Sequence, residues 1–355
     1  MKPARRIAAL AILTALSLLA WAQGSLVKRS DFYVPSDPGT DVFVREVRAE
    51  PAPGAQAPVL LIHGARVPGI ASFDLPVLGG SLAMDLALAG FRVYILDVRG
   101  YGKSTRSRGF DLPSNANPPL VRSPEAVRDI GAVVRDIRRR NHQRKVALLG
   151  WAAGGSWAGY YASLHSDQLS HLIMLNTLFG ADAPQPLIGR GSDLEDPHQP
   201  GQFNFAQNGA YRCNSSNSLL TGWHTSIPLA NKDDWRDPAV ANAYVDAALA
   251  SDAASSLHHP PCFRSPNGAL EDSFYEATGR QLWDGSLITV PTLVIACERD
   301  FWSRPEDREK LKRELVHAPV ARVVVIPNAT HFVFLDRPER GRKQFLDEVT
   351  AFLSR

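Results

Sequence analysis

Short apolar runs rich in β-branched residues alternate with segments of helical spacing along most of this chain, and that alternation constrains the fold more than any other feature. "APVLLIHG" (57–64) and "FRVYILDVRG" (91–100) end in Gly, as strands buried in a parallel sheet often do. Between them "GGSLAMDLALAG" (79–90) has apolar positions at helical spacing and stops at Gly90. "SPEAVRDIGAVVRDIRRRN" (123–141) predicts a further helix, opened by a Ser cap and closed by a basic turn suited to the helix dipole. "DVFVREV" (41–47) alternates as a half-buried strand should, and "KVALLG" (145–150), "HLIMLN" (171–176), "TLVIAC" (292–297) and "ARVVVIP" (321–327) read as strands. "RKQFLDEVTAFLSR" closes the chain as an amphipathic helix. The expected fold class is α/β, with a mostly parallel central sheet covered by helices on both faces.

The rhythm breaks between 181 and 287, a stretch rich in Pro, Gly, Asn and Ser that also carries aromatics such as Trp223, Tyr244, Phe274 and Trp283. It is too long for a simple connection in a compact sheet and is read as an inserted cap. The expected organisation is a leader at 1–22, a core at 23–180, the cap at 181–287 and the rest of the core at 288–355. The cap aromatics suit an apolar or aromatic substrate, or equally the packing of the lid itself. Of three cysteines, Cys213 and Cys262 fall in this loop-rich middle and are paired as a disulfide, while Cys297 ends a strand-like run and reads as a buried apolar residue.

The first residues differ from the rest. Lys2, Arg5 and Arg6 form a basic head, Ile7 to Leu19 an apolar run, and Ala20-Trp21-Ala22 an A-x-A-like cleavage site. This predicts a bacterial-type secretory signal cut after Ala22, and hence a secreted or periplasmic protein with no stable membrane anchor after cleavage. Loss of the leader's three basic residues brings the 39 Lys and Arg of the 355-residue chain down to 36, equal to its 36 Asp and Glu. The basic balance therefore belongs to the leader, and no nucleic-acid partner is implied.

The chemistry turns on "LLGWAAGGSWAG" (148–159), where an apolar run meets Gly150-Trp151-Ala152-Ala153-Gly154 and a helix-compatible segment follows. The pattern G-x-S-x-G of a nucleophile elbow fits at every position but the central one, which is Ala152. With "HGA" (63–65), "DVRGYGKS" (97–104), "CERD" (297–300) and "ATH" (329–331), the chain resembles the α/β-hydrolase-fold family, over residues 31–180 and 287–355, with a lid inserted after the sixth strand. The resemblance implies a serine-type hydrolase of acyl bonds, by default carboxylic esters. Ala152 occupies the nucleophile position, His331 is the base and Asp300 its orienter, with Asp182 as runner-up. The N–H groups of Ala153 and Ala65 form the oxyanion hole. Trp151, Arg66 and Trp302 line the substrate pocket.

Small residues at Gly150 and Gly154 permit the tight turn, and backbone N–H groups at a helix start face developing negative charge. Ser156 lies about one turn into the helix and should not share the elbow apex. Family members that cleave halides or epoxides carry Asp at the elbow, chemistry that Ala152 also excludes. "HHPPC" (258–262) makes a poor metal site, because adjacent His in a Pro-rich loop rarely share one ion. No cofactor or metal is implied, the partner is a small-molecule or polymeric ester-type substrate, and no feature sets an oligomeric state. Loss of the hydroxyl alone, with its companions kept, is read as an inactivating Ser→Ala replacement. The alternative is a natural non-catalytic protein of the same fold that binds a ligand or a partner. Lactone, amide and carbon–carbon (β-diketone) cleavage share the acyl chemistry and stay open.

Overall fold

The computed structural model describes residues 27–51 and 56–355, so the leader and its cleavage site lie outside the described residues. Ten strands follow in chain order: β1 (Val27–Pro35), β2 (Asp41–Ala49), β3 (Val59–Ile62), β4 (Val93–Asp97), β5 (Val146–Trp151), β6 (Leu169–Leu175), β7 (Tyr211–Ser215), β8 (Cys262–Pro266), β9 (Thr292–Arg299) and β10 (Ala321–Thr330). Eight of them form one sheet in the order β1-β2-β4-β3-β5-β6-β9-β10. β2 runs antiparallel to both β1 and β4, and every pairing from β4 to β10 is parallel.

The sheet is buried on both sides, and the strand residues alternate between two apolar layers. Leu61, Ile95, Leu149, Ile173 and Ile295 enter one layer together with helices α1 (Gly69–Phe73), α2 (Leu82–Leu88) and the C-terminal helix Arg342–Leu353. Leu60, Tyr94, Leu148, Leu172 and Val294 enter the other, against α3 (Ser123–Asn141) and α4 (Ala153–His165). Each fully buried Leu or Ile contributes roughly 2 kcal/mol of transfer free energy, which is why the central strands tolerate no polar alternation. α3 has the expected span, but its start differs from expectation. Arg122 is the N-cap, its N–H donating to Glu125 Oε2 at 3.0 Å, and Ser123 is the first helical residue. The Ser123 hydroxyl instead donates to Asp272 Oδ2 at 2.7 Å.

The chain leaves the sheet after β6 and returns at β9, the neighbouring strand. The segment between them holds the antiparallel pair β7–β8 and helices α5 (Ser216–Ser226), α6 (Pro238–Ala250) and α7 (Gly268–Ala277). After β9 come α8 (Pro305–Glu314) and α9 (Arg342–Leu353). Cys213 of β7 and Cys262 of β8 are disulfide-bonded, and Cys297 is free and buried. His258 lies with these two cysteines, their ligand-type atoms within 4.8 Å, but the sulfurs are bonded to each other. Among the described residues, no helix is long and apolar enough to cross a membrane.

Candidate active site

β5 ends at Trp151 and α4 begins at Ala153, so Ala152 alone makes the turn between them. Its backbone sits at φ 53°, ψ −120°, a conformation that costs a residue with a Cβ on the order of 1–3 kcal/mol. Packing on both sides holds it there. Ala152 N–H donates to Leu175 O at 2.8 Å, and Gly155 N–H returns to Ala152 O at 2.9 Å. The flanking glycines are obligatory: a Cβ on Gly150 would stand 2.1 Å from Gly154 O, and one on Gly154 would stand 2.3 Å from His63 O. Among the described residues, Ala153 N–H has no backbone acceptor, as the first N–H groups of a helix do not.

β10 delivers His331 immediately after its last residue, and β9 delivers Asp300 immediately after its own. His331 Nδ1 donates to Asp300 Oδ1 at 2.6 Å. That fixes the tautomer, because a carboxylate can only accept, and leaves Nε2 as the free acceptor. Asp300 is itself positioned by the N–H groups of Trp302 at 3.1 Å and Ser303 at 2.9 Å. The His331 carbonyl accepts from Trp151 Nε1 at 3.1 Å, tying the histidine loop to the end of β5. Asp182 is not part of this cluster; it is exposed and lies beside Gly279.

A cavity of about 240 Å³ opens over these groups, lined by Gly64, Ala65, Arg66, Trp151, Ala152, Trp302 and His331 from the core loops. Arg212, Asn214, Leu219, Tyr244 and Leu270 wall it from the segment between β6 and β9, and Phe301 and Phe332 complete it. Sequence reasoning missed these wall residues, since nothing in "YRCNS" or around Tyr244 distinguishes a wall from a surface loop. Most of the cap aromatics serve packing instead. Trp223 is fully buried, donating to Asp336 Oδ1 at 2.7 Å, and Trp283 packs on Phe179 with ring centroids 4.5 Å apart. Ser156 is also a packing residue, its buried hydroxyl accepting from Trp283 Nε1 at 3.1 Å and bonding Glu276 Oε1.

The loop after β3 is braced by His63. Its Nδ1–H donates to the Gly64 carbonyl at 2.7 Å and its Nε2 accepts from Val98 N–H at 3.1 Å. Complete burial pushes its pKa down to about 4, so the ring is neutral at pH 7. With the Gly64 carbonyl held, the N–H of the same peptide unit, that of Ala65, points the opposite way. The Ala65 carbonyl in turn accepts from Tyr101 Oη at 2.9 Å and Arg212 Nη2 at 2.8 Å. Two backbone N–H groups, those of Ala65 and Ala153, thus belong to rigid segments on either side of Ala152. Such an arrangement can receive developing negative charge on an acyl oxygen, next to a base with an oriented imidazole.

The sheet order, with a His–Asp pair and a helix start at the carboxyl ends of its strands, defines a doubly covered α/β protein with a loop-built site. This chain belongs to the alpha/beta hydrolase fold family, whose sequence pattern matches residues 57–338. It is similar to epoxide hydrolase 3 of Xenopus tropicalis, 26% identical over 263 residues, covering 73% of this chain and 64% of that one. It is also similar to a pimeloyl acyl-carrier-protein methyl ester esterase of Vibrio atlanticus, 29% identical over 110 residues, or 30% of this chain and 35% of that one. The chain therefore spans less than two thirds of the length of either relative. The solved epoxide hydrolase of Solanum tuberosum shares the fold at a TM-score of 0.58 and 19% identity, covering 92% of this chain and 99% of that one.

Proposed function

We propose that this chain is an exported acyl hydrolase framework, built for carboxylic esters, in which a methyl group at position 152 stands where the attacking hydroxyl belongs. The observation that carries the reading is the strained backbone of Ala152, at φ 53° and ψ −120°, beside the ordered His331–Asp300 pair. An alanine gains nothing from that conformation; a reacting side chain gains its exposure at the apex of the turn. With a hydroxyl there, His331 Nε2 would take its proton and Asp300 would stabilise the imidazolium. Ala153 and Ala65 N–H would hold the oxyanion, and water would then release the acyl group. With the methyl, an ester is bound and polarised but no covalent acyl intermediate forms.

The names of the relatives divide between ester and epoxide hydrolysis, and the residues of this chain favour the former. Epoxide opening by a carboxylate at the elbow requires an acid that Ala152 does not provide, whereas ester cleavage lacks a single oxygen atom. Lactones, amides and β-diketones differ from esters in the leaving group, so the same groups serve them.

Ala152→Ser tests the proposal. Removal of a nucleophilic serine costs up to about a million-fold in kcat, so the restored protein should cleave short aryl esters faster than the Ala152 form by several orders of magnitude. His331→Ala or Asp300→Asn in the restored protein should abolish most of that gain. An Ala152→Ser protein no faster than its parent on esters, lactones and amides, while both bind such ligands, would make the chain a binding protein of the same fold.

A further inference from the structure

Two guanidinium groups reach the cavity without a carboxylate to neutralise them. Arg66 donates through Nε to Asn214 Oδ1 at 2.9 Å and through Nη2 to Ser218 Oγ at 2.7 Å, and its Nη1 makes no hydrogen bond among the described residues. Arg212 donates to the carbonyls of Ala65 and Pro266 and to Asn267 Oδ1. All these acceptors are neutral. Other buried or part-buried arginines of the described residues are paired, Arg99 with Asp129, Arg264 with Asp252 and Arg304 with Asp307, while Arg236, against His224 and away from the cavity, is not. Among the described residues neither Arg66 nor Arg212 forms a salt bridge, and the carboxylate of the site, Asp300, is committed to His331, Trp302 and Ser303.

Burial acts on both wall arginines, and repulsion from Arg66 acts on Arg212. Desolvation pushes the Arg212 guanidinium down to about 10, with Arg66 adding to the effect, and burial pulls Arg66 down as well. Two like charges kept in the lining of one cavity, hydrogen-bonded to neutral groups alone, are an unbalanced arrangement that an incoming anion would balance. Among the described residues the buried indole N–H of Trp302, another lining residue, has no acceptor. Arg212 also touches the Ala65 carbonyl at 2.8 Å, so the positive charge lies next to the oxyanion donors rather than at the cavity mouth.

We propose that the ligand of this cavity is an anionic acyl compound, an ester whose acyl chain ends, within a few bonds of the carbonyl, in a carboxylate held by Arg66 and Arg212. The inference rests on the ester-hydrolase reading for its scissile bond, but the anion site stands on the arginines alone. A carboxylate is small enough for a cavity of about 240 Å³ that must also hold the ester, and it can accept from Arg66 Nη1, the nitrogen left without an acceptor. Neutral esters of the same length would occupy the cavity while leaving both charges uncompensated.

The protein with Ala152 is suited to the test, since it holds an ester without consuming it. Calorimetric titration compares monomethyl succinate, dimethyl succinate and succinate itself. The monoester should bind at least about ten-fold more tightly than the diester, the difference made by one charge-assisted contact. Arg66→Gln should erase that preference, and Arg66→Lys should keep part of it; unchanged thermal unfolding confirms that both variants are folded. A diester that binds as tightly as the monoester, or no binding of monoester and succinate, overturns the proposal. The ester reading fails separately. If succinate binds in an Arg66-dependent way but the Ala152→Ser protein turns over neither ester, the anion site stands and the hydrolysis does not. If the restored protein cleaves both esters equally, the reverse holds.

Discussion

His63 is completely buried with both ring nitrogens engaged, one as donor to the Gly64 carbonyl and one as acceptor from Val98 N–H. A proton added to Nε2 would meet that N–H head-on, which agrees with a pKa lowered to about 4 by burial. The folded chain therefore refuses a proton that the unfolded chain accepts below its ordinary value of 6.5. Stability from this group is whole above pH 6.5, is lost as pH falls toward 4, and changes no further below that. Asp97 and Asp336, raised to about 6 by burial, act in the opposite sense, so the measurement must be a difference between two proteins. His63→Asn keeps a donor for Gly64 and removes the titration. Urea unfolding between pH 4 and 6 should show its stability falling less steeply with acid, by up to about 1.4 kcal/mol per pH unit. Parallel slopes would contradict the assignment.

Residues of this kind differ in how far the sequence exposes them. The elbow was legible because Gly150 and Gly154 are spaced as a tight strand-to-helix turn requires, and His331 because it comes shortly after the apolar run Val323–Ile326 of the last strand. Arg212 was not legible. The role proposed for it comes from its lack of a salt-bridge partner among the described residues, and an absence in three dimensions leaves no mark on the neighbouring letters.

At the scale of elements, the same division follows from burial. The central strands are buried on both faces and announce themselves as apolar runs. β1, with Lys28, Arg29 and Asp31 on an outer strand that pairs with β2 alone, is held by that pairing, by Val27 and Val34 and by the Arg29–Asp74 ion pair, and β7, with Arg212, Cys213 and Asn214, by pairing and a covalent link. The link matters for the site, because Cys213 stands between the two cavity-wall residues of β7 and is bonded to Cys262 of β8. Closing a loop of 49 residues is worth at most about 4 kcal/mol in chain entropy. The Cys213→Ser, Cys262→Ser protein should unfold at lower urea by no more than that amount. Affinity for a cavity ligand should weaken with it, because Arg212 and Asn214 lose their anchor. Thiol titration of the denatured, unreduced parent should count a single free thiol, Cys297; three would contradict the bridge.

For the whole molecule, the expected export has a direct test. A protein recovered from the periplasm or medium of an expressing bacterium should begin at Gln23, and an intact mass that still includes Met1 to Ala22 would contradict cleavage. The mature chain would carry as many acidic as basic residues. Its charges would then act in local pairs rather than as a long-range field. The two cavity arginines are exceptions to that pairing.

The excursion between β6 and β9 begins and ends on adjacent strands, so the sheet closes over it as though it were a short loop. The floor of the cavity, with Ala65, Trp151, Ala152 and His331, is encoded outside that excursion, and Arg212, Asn214, Leu219, Tyr244 and Leu270 are encoded within it. What the site does to a bond is therefore written outside the excursion, and much of what decides which molecule it admits is written within it, with Arg66 a selecting residue on the core side. The residues of the excursion that do not brace the core loops, such as Leu219 and Tyr244, can drift while the floor keeps its geometry, and a lineage carrying this fold can change its diet without relearning its chemistry.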